Sequence, residues 1–188
     1  MATSKLENPR PKRRSRAVLD WTVSIGIAVV LAFVIRTYMV EPYVVDGISM
    51  QNTLQNGERV LVNKMFNDRN LRYGQIVVFS PPISGAGDYI KRVIATGGQR
   101  VWMTDGQVYV DGRKMPQPFL HWPGLPATQD HYSMQPFVVP KGDIFVLGDH
   151  RAESEDSRLF GPVRVSKVHG TAFWVLWPLN EFGPIPRY

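Results

Sequence analysis

The stretch QRVWMTDGQVYVDGRKM, residues 99–115, decides the fold class. Apolar residues alternate on both sides of Asp105-Gly106, and a second Asp-Gly pair follows at Asp111-Gly112. Alternation with period two is the mark of a half-buried strand, and Asp-Gly between two such runs is a hairpin turn. The surroundings repeat the pattern. Upstream, RVLVNKM, QIVVFSPP and DYIKRVIATGG are short runs rich in β-branched residues and bounded by turn residues. Downstream, FVVPKGDIFVLGDH and HGTAFWVLWPL do the same. No long amphipathic helix is expected after residue 40, and no internal repeat is visible. Residues 116–136 are rich in Pro, Gly and His without a clear period, and read as a long surface loop. The expected architecture is mainly β and antiparallel, with residues 99–140 a smaller inserted hairpin and loop region.

The front of the chain is different. AVLDWTVSIGIAVVLAFVIR is apolar over residues 17–35, interrupted by Asp20 and ended by Arg36. A bilayer needs about 17–25 residues of helix, so the length just suffices. Trp21 and Tyr38 suit the two interfaces. The net charge of +6 on 188 residues sits mostly ahead of this run: six of 22 basic side chains and one of 16 acidic ones fall in the first sixteen residues. A basic tail could bind nucleic acid, but directly before an apolar segment it reads as the cytoplasmic flank of a membrane span. A cleaved secretory signal and the buried helix of a soluble domain are the other readings. The run continues past the small residues around Ala32 and shows no polar face, which favours an uncleaved anchor. The expected organisation is a basic cytoplasmic tail (1–16), a transmembrane signal-anchor (17–36) and an extracytoplasmic domain (37–188).

Cysteine is absent, which excludes disulfides, thiolate catalysis and Cys-ligated zinc. The four histidines, His121, His131, His150 and His169, show no recognisable spacing to a metal site or to a serine. The acidic residues of LGDHRAESEDSRLFG, residues 147–161, lack the spacing of a helix–loop–helix calcium site. Neither a metal nor a cofactor is implied. Two residues could do acyl chemistry. Ser49 follows the glycine turn of VVDGISMQNTL, residues 44–54. A serine hydroxyl is a poor nucleophile until a base removes its proton. Lys91, flanked by apolar residues on a strand, could be that base if burial keeps it neutral. Taken alone, the local pattern reads Lys91 as an outward-facing lysine and Ser49 as a turn serine.

Taken in order, the segments resemble the bacterial type I signal peptidases, in the single-anchor form typical of Gram-positive members. The resemblance runs from the anchor to about Pro178. It is carried by the Ser-Met box at Ser49-Met50, by GERVLVNK, by YIKRVIATGG and by GDHRAESEDSR. It implies a membrane serine endopeptidase that removes signal peptides from exported preproteins. By resemblance, Ser49 is the nucleophile, Lys91 the general base, and Ser154 the hydroxyl that orients the lysine. Asp156 and Arg158 match an ion pair, and Asp149 matches the acid that pairs with Arg92. The Ser49 N–H would face the oxyanion. Some members have a serine donor where this chain has Gly47, so a second donor would be backbone or absent. Tyr43, Val45, Met50, Leu54, Val60, Tyr89 and Ile90 match the wall that selects small residues at the first and third positions before the cut. An extended substrate would lie near Val45 and Tyr89, and Met65-Phe66 could dip into the membrane interface. The implied partners are preproteins, the lipid bilayer and, as a candidate, the secretion translocon, with no nucleic acid.

The chain departs from the family pattern at Asn52, where a proline is common, at Glu58 and Gln75, where aspartate is common, and at His150, where asparagine is common. His150 beside the site implies a steeper pH dependence. The competing readings are an inactive membrane-tethered binding module, a Ser/Lys self-cleaving regulator of the SOS-repressor kind, and an organellar processing peptidase. The anchor argues against the second, and the joint presence of Ser49, Lys91 and Ser154 against the first.

Overall fold

The structure, a computed structural model, describes residues 13–51, 53–66, 70–120 and 131–186. The basic tail up to residue 12, Asn52, His121 and the middle of the 116–136 loop lie outside the described residues. The N-terminal helix and the body from Met39 onward are two compact units.

Helix α1 runs Arg13–Val34 and continues as a wider π-helical turn, Ile35–Met39. Its stretch Asp20–Met39 has a mean hydropathy of 1.9 over 20 residues, enough to cross a bilayer by length and composition. Trp21, Val23, Ile25, Ile27, Val29 and Phe33 are all exposed, so the helix is apolar on its surface. Helical structure passes Arg36, where the sequence pattern put the end of the span. A single arginine has good helix propensity and does not stop a helix. The helix ends at Met39, three residues before Pro42, which offers no N–H and clashes with a preceding helical turn.

The body is built on an eight-stranded antiparallel sheet. Its strands are β1 (Val40–Val44), β2 (Arg59–Asn63), β3 (Ile76–Phe79), β4 (Tyr89–Thr96), β9 (Asp143–Leu147), β10 (Val163–Arg164), β11 (Val168–Trp177) and β12 (Gly183–Pro184). The order is β1-β2-β11-β3-β4-β9-β10, with β12 also paired to β11. Pro42 lies in β1, opposite Leu61, where an edge strand tolerates its missing N–H. Strands β3 and β4 are central and buried on both faces, so they read as continuous apolar runs. Register shifts in the β2–β11, β3–β11 and β4–β9 pairings bend the sheet, as bulges do. Alternation along β3 sends Ile76 and Val78 to one core, with Met50, Leu54, Val60 and Val62, and Val77 and Phe79 to another on the opposite face, with Val93, Val146 and Val168.

A second, four-stranded sheet comprises β5 (Arg100–Thr104), β6 (Gln107–Val110), β7 (Arg113–Lys114) and β8 (Met134–Val138), in the order β7-β6-β5-β8. The decisive hairpin pairs Val101 with Val110 and Thr104 with Gln107. Asp105 and Gly106 have φ of +47° and +74°, and Asp111 and Gly112 have +49° and +83°, the left-handed pairs of tight hairpin turns. One face of the hairpin, Val101, Met103, Val108 and Val110, packs on Ile94, Phe145 and Leu147 of the large sheet. Strand β8 starts inside the segment that the sequence reads as loop. Its Pro136 and exposed side chains hide the strand pattern, and only pairing with β5 supplies it.

Candidate active site

Ser49 does not sit on a strand. It lies in a tight turn between β1 and β2, entered through Gly47 at φ +100°. Local bonds shape the turn: Gln51 N–H to Ile48 O (2.9 Å), Thr53 N–H to Met50 O (3.0 Å) and Leu54 N–H to Met50 O (2.9 Å). Met50 and Leu54 are fully buried and plug the turn into the core. The Gly47 N–H is taken by Asn56 Oδ1 at 2.9 Å, while the Ser49 N–H has no acceptor among the described residues. The Ser49 carbonyl accepts from the His150 N–H at 3.0 Å.

Lys91 enters from β4, opposite Val77, and is only 4% exposed. Its Nζ lies 2.6 Å from Ser49 Oγ and 3.1 Å from the Ile90 carbonyl, and 5.0 Å from the centre of the Tyr89 ring. Burial disfavours the ammonium and pulls its pKa down to about 8, against the opposing pull of Asp156, Glu155 and Asp149. The outward-facing alternative for Lys91 is therefore wrong. Curling of the sheet brings the core and the turn over this end of the strand.

Alternation along β4 sends Arg92 to the opposite face. It is fully buried and meets Asp149 in a forked pair, Nε to Oδ1 at 2.8 Å and Nη2 to Oδ2 at 2.6 Å. Arg92 also donates to Gly74 O at 2.6 Å and stacks 4.2 Å from the Phe119 ring. Thr53 Oγ1 donates to Asp149 Oδ2 at 2.5 Å and accepts from Arg92 Nη2 at 3.1 Å. The Asp156–Arg158 pair is present as well, with Oδ1 to Nε at 2.8 Å and Oδ2 to Nη2 at 2.9 Å. Asp156 also caps the short helix α2 (Ser157–Phe160) and accepts from the Gly148 N–H at 3.0 Å.

Ser154 departs from its expected partner. Its hydroxyl donates to Asp156 Oδ2 at 2.8 Å, and no hydrogen bond joins it to Lys91. A buried carboxylate is a strong acceptor for that proton, and the hydroxyl oxygen keeps its lone pairs. The loop comes this close because residue 148 is glycine: a Cβ there would stand 2.2 Å from Ser154 Oγ and 2.5 Å from Ser49 O.

A cleft of roughly 340 Å³ opens over Ser49 and Lys91. Five of the expected wall residues line it: Tyr43, Val45, Val60, Tyr89 and Ile90. Met50 and Leu54 do not; they lie behind it as the anchors of the turn. The sequence reading missed Ile48 and Val78 and four rim carboxylates, Asp46, Asp88, Glu153 and Glu155. Val78 was within reach, since it sits opposite Ile90 in the β3–β4 register. The carboxylates come from three separate loops and carry no local signal. Glu155 is held by the Tyr89 hydroxyl at 2.8 Å, and Asp88 by Ser80 and His169 at 3.0 Å each.

The remaining residues singled out by the sequence fall elsewhere. His131 pairs with exposed Asp105, and His150 Nδ1 is buried without a partner. Met65 is exposed, and Phe66 is partly buried against the Phe79 core. Glu58 is buried, which raises its carboxyl pKa, and Gln75 accepts from the Arg72 N–H at 2.9 Å.

A serine hydroxyl within hydrogen-bond reach of a buried lysine, at the floor of a cleft, can perform nucleophilic acyl transfer. The comparisons agree with that class. The profile of the family described as signal peptidase, peptidase S26, matches residues 18–177. Signal peptidase I of Bacillus amyloliquefaciens is 40% identical over 186 residues, covering 94% of this chain and 97% of that protein. Signal peptidase I T of Bacillus subtilis is 39% identical over 90% of this chain and 91% of its own. Signal peptidase IB of Staphylococcus aureus is 35% identical over 89% and 93%. A solved signal peptidase I from Enterococcus faecalis is 27% identical, with a TM-score of 0.46 over 54% of this chain and 96% of that one. The chain belongs to the signal peptidase family, peptidase S26.

Proposed function

We propose that this membrane signal peptidase cuts preproteins through Ser49 as nucleophile and neutral Lys91 as general base. The observation that carries the reading is the 2.6 Å separation of Lys91 Nζ and Ser49 Oγ in a buried setting. Ser49 Oγ attacks the scissile carbonyl while Lys91 takes its proton. The Ser49 N–H stabilises the oxyanion. Lys91, now an ammonium, returns the proton to the leaving amine, and water then hydrolyses the acyl-enzyme by the same route. The Gly47 N–H is already bonded to Asn56, so it is no second oxyanion donor unless that bond opens. In this reading Ser154 supports the base indirectly, by holding Asp156.

The cleft walls support the substrate preference. Tyr43, Val45, Val60, Tyr89 and Ile90 leave a shallow apolar space that suits small residues before the cut and excludes bulk by contact. Strand β4 pairs with β3 from Tyr89, but β9 joins it only from Arg92. Its first residues thus keep one open edge, on which an extended substrate can add as a strand. The basic tail stays cytoplasmic, the body lies outside, and the anchor holds Ser49 near the membrane surface where signal peptides emerge, with the translocon nearby.

The test uses the full-length protein in detergent with a model preprotein of known cleavage site. Wild type should release a mature chain whose new N-terminus follows a small residue, and Ser49→Ala and Lys91→Ala should release none. Cleavage surviving Ser49→Ala refutes the assignment. Orientation is tested with single cysteines, which the chain otherwise lacks, introduced at positions 2 and 65 and labelled from outside intact cells. Labelling at position 2 overturns it.

A further inference from the structure

The turn that carries Ser49 is held to the body by two apolar plugs, Met50 and Leu54, and by the His150 N–H on the Ser49 carbonyl. Apolar contact is non-directional and permits small slides. Acyl transfer tolerates little sliding, since a misplacement near 1 Å can cost about 100-fold in rate. Directional ties have to set the turn's position; the backbone bond to His150 is one, and a side chain of the turn, Thr53, has the contacts to supply another.

Thr53 Oγ1 donates to Asp149 Oδ2 and accepts from Arg92 Nη2, so one hydroxyl closes a ring with the buried ion pair. Arg92 directly follows Lys91 in the chain. Asp149 directly precedes His150, whose N–H holds the Ser49 carbonyl. The two partners of Thr53 are therefore each one peptide unit from a group that touches Ser49, one at the hydroxyl and one at the carbonyl. The Arg92–Asp149 pair is itself rigid, with both side chains at 0% exposure and the arginine pinned by Gly74 O and Phe119.

We propose that Thr53 is a positioning residue for the cleavage reaction. Its hydroxyl transmits the fixed geometry of the Arg92–Asp149 pair to the Ser49 turn and sets the distance between Ser49 and Lys91. The inference rests on the Ser49/Lys91 reading above. It also gives the buried pair a task beyond stability, because the pair satisfies itself without Thr53 through its own two bonds.

The experiment compares Thr53→Val, which keeps the shape and removes the hydroxyl, with Thr53→Ser, which keeps the hydroxyl. Steady-state cleavage of a model preprotein is measured in detergent at a fixed interval below each variant's melting temperature. Thr53→Val should lower kcat about 30-fold with KM changed less than about 2-fold, and Thr53→Ser should stay within about 3-fold of wild type. In a cycle with Asp149→Asn, the double variant should be no slower than Asp149→Asn alone. Thr53→Ala carries the same expectation and serves if Thr53→Val does not fold. Near-wild-type kcat in Thr53→Val, an effect on KM alone, or Thr53→Ser as slow as Thr53→Val overturns the inference. Ser49→Ala, run alongside, separates the failures: if it retains activity, the dyad itself is wrong.

Discussion

The acid limb of the pH–rate profile should belong to Lys91. An ordinary lysine, with pKa 10.5, leaves only about one molecule in 3,000 neutral at pH 7; at about 8, roughly one in ten is neutral. Burial thus raises the base-competent fraction by about 300-fold at neutral pH. On that basis kcat/KM should climb tenfold per pH unit below 8 and level off above it. The same shift has a stability consequence of definite sign. Between about 8 and 10.5 the unfolded chain holds a proton on Lys91 that the folded chain has lost, so stability rises with pH across that window. Below it, carrying the ammonium costs the folded state about 3 kcal/mol. Lys91→Met should therefore be inactive yet more stable than wild type at pH 7, with the difference vanishing toward pH 10.5. The assays are initial rates of preprotein cleavage from pH 6 to 10 and urea unfolding at the two ends. A limb centred near 10, a flat profile, or a Lys91→Met protein less stable at pH 7 would refute the reasoning. Glu155→Gln tunes the same limb: removing one carboxylate that favours the ammonium should move the midpoint down by less than one unit.

Three further outcomes are expected. Asp149→Ala leaves the Arg92 guanidinium buried without its forked partner, at a cost of about 3–5 kcal/mol, so the melting temperature should fall by roughly 10 °C; a drop under about 2 °C would show the pair to be dispensable. Gly148→Ala drives a methyl into the Ser49 carbonyl and should lower kcat at least about tenfold, whereas Gly47→Ala meets no atom within 4 Å and should cost only about 1–2 kcal/mol of backbone strain; equal kinetic losses would contradict this contrast. His150→Asn keeps the backbone bond to Ser49 O and removes an imidazole whose Nδ1 is buried without a partner; kcat should stay within about 3-fold of wild type, and a loss of tenfold or more would give the imidazole a part in the reaction.

Wherever structure is set by neighbours in the chain, the sequence reveals it. The two Asp-Gly turns, the alternation of Val101, Met103, Val108 and Val110, and the apolar run of α1 are local facts that the fold keeps. Strands β1 and β8 were hidden for one reason: each carries a proline and takes its strand character from a single partner, β2 or β5. Length and period cannot reveal a partner that lies 15 or more residues away.

The site divides along the same line. No local pattern distinguishes Lys91 from an exposed strand lysine, since Ile90 and Val93 flank either kind. What makes it a base is the Ser49 turn arriving from 42 residues upstream and the curl of the sheet around it. The ordered boxes of a known family stood in for that missing geometry, and they did so unevenly. They named the Arg92–Asp149 and Asp156–Arg158 pairs, because charge pairs leave a mark in residue type. They joined Ser154 to the wrong partner, since a hydroxyl accepts or donates wherever the strongest neighbour stands, and here that neighbour is Asp156. They also placed Met50 and Leu54 in the pocket wall, although two side chains of opposite duty can share one apolar letter. Those two plugs give the turn apolar, non-directional contact, and the His150 N–H adds one directional bond at the Ser49 carbonyl. Thr53 adds a second directional tie, to the buried Arg92–Asp149 pair, which is why the hydroxyl of a residue four positions from the nucleophile belongs in any account of its reactivity.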